Sequence, residues 1–194
     1  MEHYKAQCGD IFLCDSDRTG AKIVKFFMTA PTWYQYLWRM FRGTQEPVRY
    51  YHAGMILDEN QMIEQQSKVQ YGNTKKIFSR RITIYRKRNL TETQRELLRL
   101  RAVSQLGQGY GIEDVIAHTI AWLTGLQFIV TIVGALSRNN DICVNRVARW
   151  YNHIEYFGTD KYKITTKTMD EYLSYLPNGW EIVYYNEEYI FRDI

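Results

Sequence analysis

The residues of this chain best suited to nucleophilic chemistry are its three cysteines. A thiol attacks as its thiolate, and a helix N-terminus or a nearby imidazole favours that ionised form. The residues after Cys143 have apolar positions at helical spacing, and Asn140 or Asp141 can cap a helix that begins there. We therefore predict that Cys143 lies in the first turn of a helix, where a backbone N–H can also bind a developing oxyanion.

The other two cysteines lack this setting. Cys14 ends a short apolar run and is followed by Asp15, Ser16 and Asp17, and acidic neighbours raise the pKa of a thiol. Cys8 has no distinguishing context. An odd number of widely spaced cysteines argues against a disulfide framework, and the first residues lack the basic-then-apolar plan of a signal peptide. We expect a reducing compartment, cytoplasmic or viral, with membrane association left open.

His52 is the histidine that we expect to act as the base. It begins an apolar run, and the small residues Ala53 and Gly54 after it leave room for another element, such as the nucleophile helix. On residue types alone, inert packing of the cysteine and a structural role for the histidine remain the alternatives.

A base histidine needs a polar partner on its far nitrogen, which fixes its tautomer and its tilt. The apolar runs on either side of the polar segment 58–60 predict a β-hairpin. If the turn has three residues, positions 52, 64 and 66 share one face; if it has two, Gln65 faces His52. Glu64 is our first choice as partner and Gln65 the second.

The remaining patterns predict the α+β class, because hairpins and separate helices occur without βαβ alternation. We expect one domain over residues 1–194. Besides the hairpin, the segments expected to form strands are Gly9–Cys14, Arg81–Arg86 and the aromatic tail Glu181–Phe191. The segments expected to form helices are Lys22–Met28, Thr91–Gly107 (which opens with a Thr91–Gln94 capping box) and a stretch after Gly111. The aromatic cluster at 32–41 has no assigned form.

One stretch, Thr119 to Ser137, contains no charged residue. Its length is close to the roughly 20 residues that span a bilayer, but Gln127, three threonines and two glycines dilute its hydrophobicity. We expect a buried or partner-facing helix, and a helix that dips into a membrane is the alternative.

Charge and spacing argue against several other functions. The net charge of +4 is scattered, and Arg80-Arg81 and Arg86-Lys87-Arg88 are interpreted as solvated ends of a strand, so we expect no nucleic-acid partner. Cys8, Cys14 and His3 lack the spacing of a zinc site, so no metal is expected. The glycines at 107, 109 and 111 lack the strand–turn–helix frame and the lysine of nucleotide loops, so no cofactor is assigned.

Taken in order, these motifs resemble the permuted, YiiX-like branch of the NlpC/P60 superfamily of papain-like amidases. The matching segments are Gly9-Asp10-Ile11-Phe12-Leu13, His52-Ala53-Gly54-Met55-Ile56-Leu57, Met62-Ile63-Glu64, Gly107-Gln108-Gly109-Tyr110 and Cys143-Val144-Asn145-Arg146-Val147. Histidine before cysteine is the permuted order. The chain departs from the family at Val144-Asn145, where Ser-Glu is usual, and at 119–137, which has no counterpart and is interpreted as an insertion.

The resemblance implies a permuted papain-like fold: an antiparallel sheet packed on helices, with an apolar helical insertion before the nucleophile helix. It implies a thiol hydrolase with Cys143 as nucleophile, His52 as base and Glu64 as the orienting carboxylate. The implied substrates are a peptide, peptidoglycan or a lipid acyl group, cleaved at an amide or ester bond through an acyl-enzyme. The alternatives are an acyltransferase, a catalytically silent binding module and a membrane-associated interaction protein organised by 119–137.

Overall fold

The computed structural model describes residues 4–15, 32–43, 48–109, 112–126, 128–129, 131–132, 142–158 and 164–187. In chain order its strands and helices are β1 (Asp10–Cys14), α1 (Trp33–Arg42), β2 (His52–Ile56), β3 (Gln61–Gln65), β4 (Val69–Asn73), β5 (Ile82–Lys87), α2 (Glu92–Val103), α3 (Ile112–Thr124), α4 (Cys143–Tyr151), α5 (Thr166–Ser174) and β6 (Trp180–Asn186). The helix predicted at Lys22–Met28 and the predicted capping residues Asn140 and Asp141 lie outside the described residues.

The strands form one antiparallel sheet in the order β4-β3-β2-β1-β5-β6. In its register Cys14 pairs with His52, and Gly54 pairs with Glu64. Directly paired residues share a face of a sheet, as do residues two apart on one strand. These four residues therefore lie on the same face of the sheet, near the N-terminal end of β2.

Apolar side chains cover both faces of the sheet. On one face, residues of β1, β2 and β3 pack with α4 in the larger core, which includes Leu13, Met55, Ile63, Val144 and Val147. The opposite face carries a smaller core with Phe12, Ile56, Met62, Ile77 and Ile84. Each fully buried side chain of this size stabilises the fold by about 1.5–3 kcal/mol. The packing of α4 on the sheet therefore fixes where the first residue of that helix lies.

A buried arginine also fixes the position of α4. The Arg146 guanidinium donates from Nε to Gln65 Oε1 at 3.2 Å, and from Nη1 to Gln105 Oε1 at 3.1 Å and Gln108 Oε1 at 2.7 Å. Arg146 is fully buried, so these amide oxygens take the place of water around its charge. The helix is thereby tied both to β3 and to the segment that follows α2.

The α+β class and most predicted elements are confirmed, with differences at their ends. The capping box of Thr91 and Gln94 begins α2, but the helix ends at Val103 instead of running to Gly107. The aromatic cluster without an assigned form is the helix α1, and β4 and α5 were not anticipated. The tail strand covers Trp180–Asn186, and the end of the predicted segment lies outside the described residues.

The prediction that the arginines around β5 are solvated was wrong for two of them. The Arg86 guanidinium donates to both carboxylate oxygens of Asp10, at 2.8 and 2.7 Å, and Asp10 is fully buried. Arg80 points to the buried Cys14, with 3.9 Å between Nη1 and Sγ. A buried carboxylate needs a charged partner, and the sequence does not reveal which strand supplies it.

The apolar stretch after Thr119 divides at Gly125. The helix α3 ends at Thr124, and Gly125 follows with φ of +78°, in the left-handed region that often ends a helix. Ala117 and Ala121 are buried, whereas Ile116, Ile120 and Leu123 are exposed, so this helix is covered on one side only. In the described part of the chain, no helix has both the length and the apolar character to cross a membrane.

Candidate active site

His52 and Glu64 face each other across the β2–β3 hairpin. His52 Nε2 lies 2.8 Å from Glu64 Oε2, and the two residues are only 6% and 3% exposed. The hairpin turn sets this pairing, because Asp58 Oδ1 accepts from the backbone N–H groups of Asn60 and Gln61, both at 2.8 Å. The backbone N–H of Leu57 donates to the carbonyl oxygen of Gln61 at 2.9 Å, so the turn between β2 and β3 has three residues.

Gln65, the second choice as partner of His52, faces the other side of the sheet. Its side chain donates to the carbonyl oxygen of Gly109 at 2.6 Å and accepts from Arg146. Its function is structural, since it joins β3 to the segment after α2 and to the helix α4. Of the two candidates that the sequence left open, the structure brings Glu64 to His52.

Cys143 is the first residue of α4, and its sulfur lies beside the beginning of β2. Its Sγ lies 4.0 Å from the carbonyl oxygen of Tyr51, the residue before His52, and the His52 side chain is close enough to act electrostatically on the sulfur. Since Glu64 occupies Nε2 of His52, Nδ1 is the nitrogen left for the sulfur. The N-cap residue is Ile142, whose side chain makes no capping bond, and the backbone N–H of Val144 in the first turn acts on the Cys143 sulfur.

The electrostatics of the pair favour an ionised sulfur. Burial by itself raises the pKa of a thiol, but the His52 imidazolium, with N–H groups of Ala53 and Val144, lowers the pKa of Cys143 below its ordinary value. Burial likewise disfavours a charged imidazole, yet the Cys143 sulfur and the Glu64 carboxylate raise the pKa of His52 well above its usual range. Each member of the pair therefore favours the charged form of the other.

Two side chains that the sequence did not single out complete the surroundings of Glu64. Gln66 Nε2 donates to Glu64 Oε1 at 2.7 Å, and the nearby Arg80 adds positive charge. Burial acts to raise the pKa of Glu64, but its bond to His52 and these neighbours lower it, so the carboxylate is ionised. The hairpin pattern contained the signal for Gln66, which shares a face with positions 52 and 64. Arg80 lies on a loop before β5 and left no such signal.

The other two cysteines are in surroundings that keep them protonated. Cys14 is fully buried next to His52 in the sheet, and burial raises the pKa of its thiol despite the nearby His52 and Arg80. The predicted direction of this shift agrees with the structure, and burial is its largest cause. Of the acidic residues that follow Cys14, Asp17 lies outside the described residues. Burial also raises the pKa of Cys8, whose Sγ donates to the Arg95 carbonyl oxygen at 3.4 Å.

Among solved structures, the fold is similar to the crystal structure of the metalloprotein yiiX from Escherichia coli O157:H7, with a TM-score of 0.51. The two sequences are 17% identical, and the likeness covers 77% of this chain and 67% of that protein. The chain has a YiiX-like fold. The fold predicted from the ordered motifs is thus confirmed, and at this identity the likeness concerns the fold alone. No protein-family model and no curated protein matches the sequence.

The two residues that follow Cys143 in α4 are buried. Val144 is fully buried in the larger core, and Asn145 is 1% exposed. Side chains at these positions pack α4 on the sheet and do not line an open cleft.

In the part of the chain that the structure describes, no three His, Cys, Asp or Glu side chains are grouped so as to hold a metal ion. What the site brings together is a thiol group, an imidazole and a carboxylate.

Proposed function

We propose that this protein is a thiol hydrolase that cleaves an amide or ester bond with Cys143 as nucleophile, His52 as general acid and base, and Glu64 as the residue that orients the imidazole. The observation that carries the proposal is the position of Cys143 at the head of α4 beside His52, whose Nε2 is held 2.8 Å from the buried Glu64 carboxylate. The lowered pKa of the thiol agrees with that arrangement. The ordered motifs add support for a permuted NlpC/P60 enzyme.

In the first half of the reaction, the Cys143 sulfur attacks the carbonyl carbon of the substrate, and the carbonyl electron pair moves to oxygen. Backbone N–H groups of the first turn of α4 stabilise that oxyanion. As the tetrahedral intermediate collapses, the bond to the leaving nitrogen or oxygen breaks, and the His52 imidazolium supplies the proton for the leaving group. The product that remains is a thioester on Cys143.

In the second half, water attacks the thioester carbonyl and His52 takes its proton. The carbon–sulfur bond then breaks, so the acid is released and the sulfur leaves as thiolate beside a protonated His52. The charge of Glu64 stabilises the imidazolium in both halves. An alcohol or amine that replaces water at this step makes the same site an acyltransferase.

The substrate class that we propose is a peptide, including peptidoglycan, or a lipid acyl group. Its support is the resemblance of the ordered motifs to papain-like amidases, whose chemistry is acyl transfer from amides and esters. Since a single acyl-enzyme chemistry serves both classes, parallel assays with a peptide amide and an acyl ester separate them.

Alkylation mapped by mass spectrometry tests the proposal. Iodoacetamide is expected to modify Cys143 below pH values at which an ordinary thiol reacts, while Cys8 and Cys14 stay unmodified. The variant His52→Ala is expected to lose this reactivity, and the exposed-site control His153→Ala to retain it. An activated acyl ester is expected to leave an acyl adduct on Cys143. Equal, slow alkylation of all three cysteines, with no adduct, contradicts the proposal and favours a silent binding module.

A further inference from the structure

The guanidinium of Arg80 lies beside the candidate active site. Cys14 pairs with His52 in the register of β1 and β2, so their side chains are neighbours on one face of the sheet. Arg80 Nη1 lies 3.9 Å from Cys14 Sγ, and the guanidinium is close enough to interact electrostatically with Glu64 and Tyr51. A positive charge is therefore placed next to the groups that surround the imidazole.

The charge of Arg80 is not used in an ion pair. Both oxygens of the Glu64 carboxylate have other partners, since Oε2 lies 2.8 Å from His52 Nε2 and Oε1 accepts from Gln66 at 2.7 Å. Among the described residues, no carboxylate forms an ion pair with Arg80. Its side chain contacts the thiol of Cys14, whose pKa is raised by burial so that it stays neutral. A guanidinium has several N–H groups and Arg80 is half-buried, so donors are left for a ligand that enters from solvent.

The backbone fixes Arg80 in this place. Its N–H donates to the carbonyl oxygen of Ile77 at 3.0 Å, and Ile77 is fully buried. The Asp15 N–H donates to the carbonyl oxygen of Arg81 at 2.8 Å, which ties the same segment to the end of β1. The side chain of Arg81 has a different environment, because its Nη2 lies 3.7 Å from Glu187 Oε1. Of the two neighbouring arginines, Arg80 is the one that faces the site.

We propose that Arg80 forms an anion subsite of the candidate active site, and that the substrate carries a carboxylate or a phosphate group close to the bond that is cleaved. A guanidinium donates to two oxygens of either group at once, which orients the substrate and neutralises its charge. An anionic substrate thereby supplies the partner that the described residues do not supply to Arg80. The subsite rests on the proposed thiol hydrolase chemistry, and it narrows the substrates of that enzyme to anionic ones.

Two alkylating reagents of nearly equal size test the subsite on the full chain. Iodoacetate carries a carboxylate next to its reacting carbon, whereas iodoacetamide carries a neutral amide there. Both react with the same sulfur, so the ratio of their rates at Cys143 cancels any change in the ionisation of the thiol. The ratio of the iodoacetate rate to the iodoacetamide rate is expected to be higher at Cys143 than for 2-mercaptoethanol, and to fall as salt is added.

The variant Arg80→Gln is expected to lower this ratio at least about twofold, because the charge that attracts the carboxylate is lost. Arg80→Lys keeps the charge and is expected to retain most of the ratio. The matched control Arg81→Gln removes the neighbouring guanidinium and is expected to leave the ratio as it is in the parent. Cys14 is fully buried, so its failure to react serves as the folding check for all three variants.

Competing anions distinguish the two groups that the subsite accepts. At equal ionic strength, acetate and inorganic phosphate are expected to slow the iodoacetate reaction of the parent more than chloride does. Neither is expected to have such an effect on Arg80→Gln. A stronger effect of acetate indicates a carboxylate on the substrate, and a stronger effect of phosphate indicates a phosphate.

Three results would overturn the subsite. The first is a ratio that Arg80→Gln leaves unchanged; if both rates then fall together, Arg80 acts only through Glu64. The second is an equal fall of the ratio in Arg81→Gln, since net charge and not a local site would then attract iodoacetate. The third is that neither acetate nor phosphate has an effect beyond that of chloride. Each of these results leaves the hydrolase standing as long as Cys143 is reactive, whereas a Cys143 that reacts with neither reagent overturns the hydrolase and the subsite together.

Discussion

His52 Nε2 and Glu64 Oε2 lie 2.8 Å apart on neighbouring strands, and the contact joins a buried imidazole to a buried carboxylate. The geometry assigns one nitrogen of the ring to Glu64 and leaves the other for Cys143. A histidine held in this way has a fixed tautomer, so each change at Glu64 has a consequence for the sulfur.

The variant Glu64→Gln is therefore expected to slow alkylation of Cys143 at neutral pH by at least about tenfold, because a neutral amide stabilises the imidazolium less than a carboxylate does. The pH profile of alkylation is expected to move to higher pH, as the pKa of the thiol rises towards its ordinary value. Gln66→Ala removes only the second bond to Glu64 and is expected to have a smaller effect. An unchanged profile in Glu64→Gln would show that the carboxylate does not act on the sulfur.

The lowered pKa of Glu64 also predicts how the free energy of unfolding depends on pH. Its pKa is lower in the folded protein than its ordinary value, so its ionised form stabilises the fold above that ordinary value. This stability is lost as the pH falls through the lowered pKa of the folded state. Urea unfolding at a series of acidic pH values is expected to show a steeper loss of unfolding free energy for the parent than for Glu64→Gln. Parallel curves would contradict the assignment.

The absence of a side chain at position 54 is required by its neighbours. A Cβ on Gly54 would lie 2.4 Å from Phe12 Cζ and 2.8 Å from the carbonyl oxygen of Ile63. Gly54→Ala is expected to lower the free energy of unfolding by about 1–3 kcal/mol. The double variant Phe12→Leu/Gly54→Ala is expected to regain part of this loss, because the clash with the Phe12 ring is relieved. The recovery is expected to be partial, because the contact with the Ile63 carbonyl oxygen persists. A stable Gly54→Ala protein would mean that the strands can separate freely at this point.

The ion pair between the buried Asp10 and the partly exposed Arg86 predicts a larger effect on stability. Arg86→Leu leaves the Asp10 carboxylate without its charged partner and is expected to cost about 3–5 kcal/mol in urea unfolding. Asp10→Asn/Arg86→Leu is expected to be more stable than Arg86→Leu alone, since no buried charge is then unpaired. Arg88→Gln, at an exposed neighbouring arginine, is the matched control and is expected to change little. A neutral result for Arg86→Leu would mean that water reaches Asp10.

The local patterns allowed the site's elements to be predicted, because each depends on neighbouring residues. The strand at His52, the hairpin to Glu64 and the helix at Cys143 all have short-range signals. Their meeting was inferred from motif order. The turn length was open in the sequence, and the bonds from Asp58 decide it. That decision places Glu64, and not Gln65, on the face of His52.

The features that could not be predicted depend on contacts between residues that are distant in the sequence. Arg86 looks like a solvated arginine until β1 places Asp10 beside it. Arg146 follows the cysteine and looks like a surface residue of a helix, yet three glutamine side chains surround its guanidinium. Arg146 is buried and Arg86 is partly buried against Asp10 because their partners are supplied by other strands and loops, and local periodicity contains no information about such partners.

The order of the site residues along the chain has a consequence for biosynthesis. His52 and Glu64 belong to strands that pair next to each other, whereas Cys143 follows them only after α2 and α3. A ribosome therefore synthesises the strands that carry the base and its carboxylate before the helix that carries the sulfur, and α5 and β6 follow that helix. Until Cys143 has been synthesised, the imidazole of His52 has no sulfur of α4 beside it, so the proposed site cannot be complete before more than two thirds of the chain has been made.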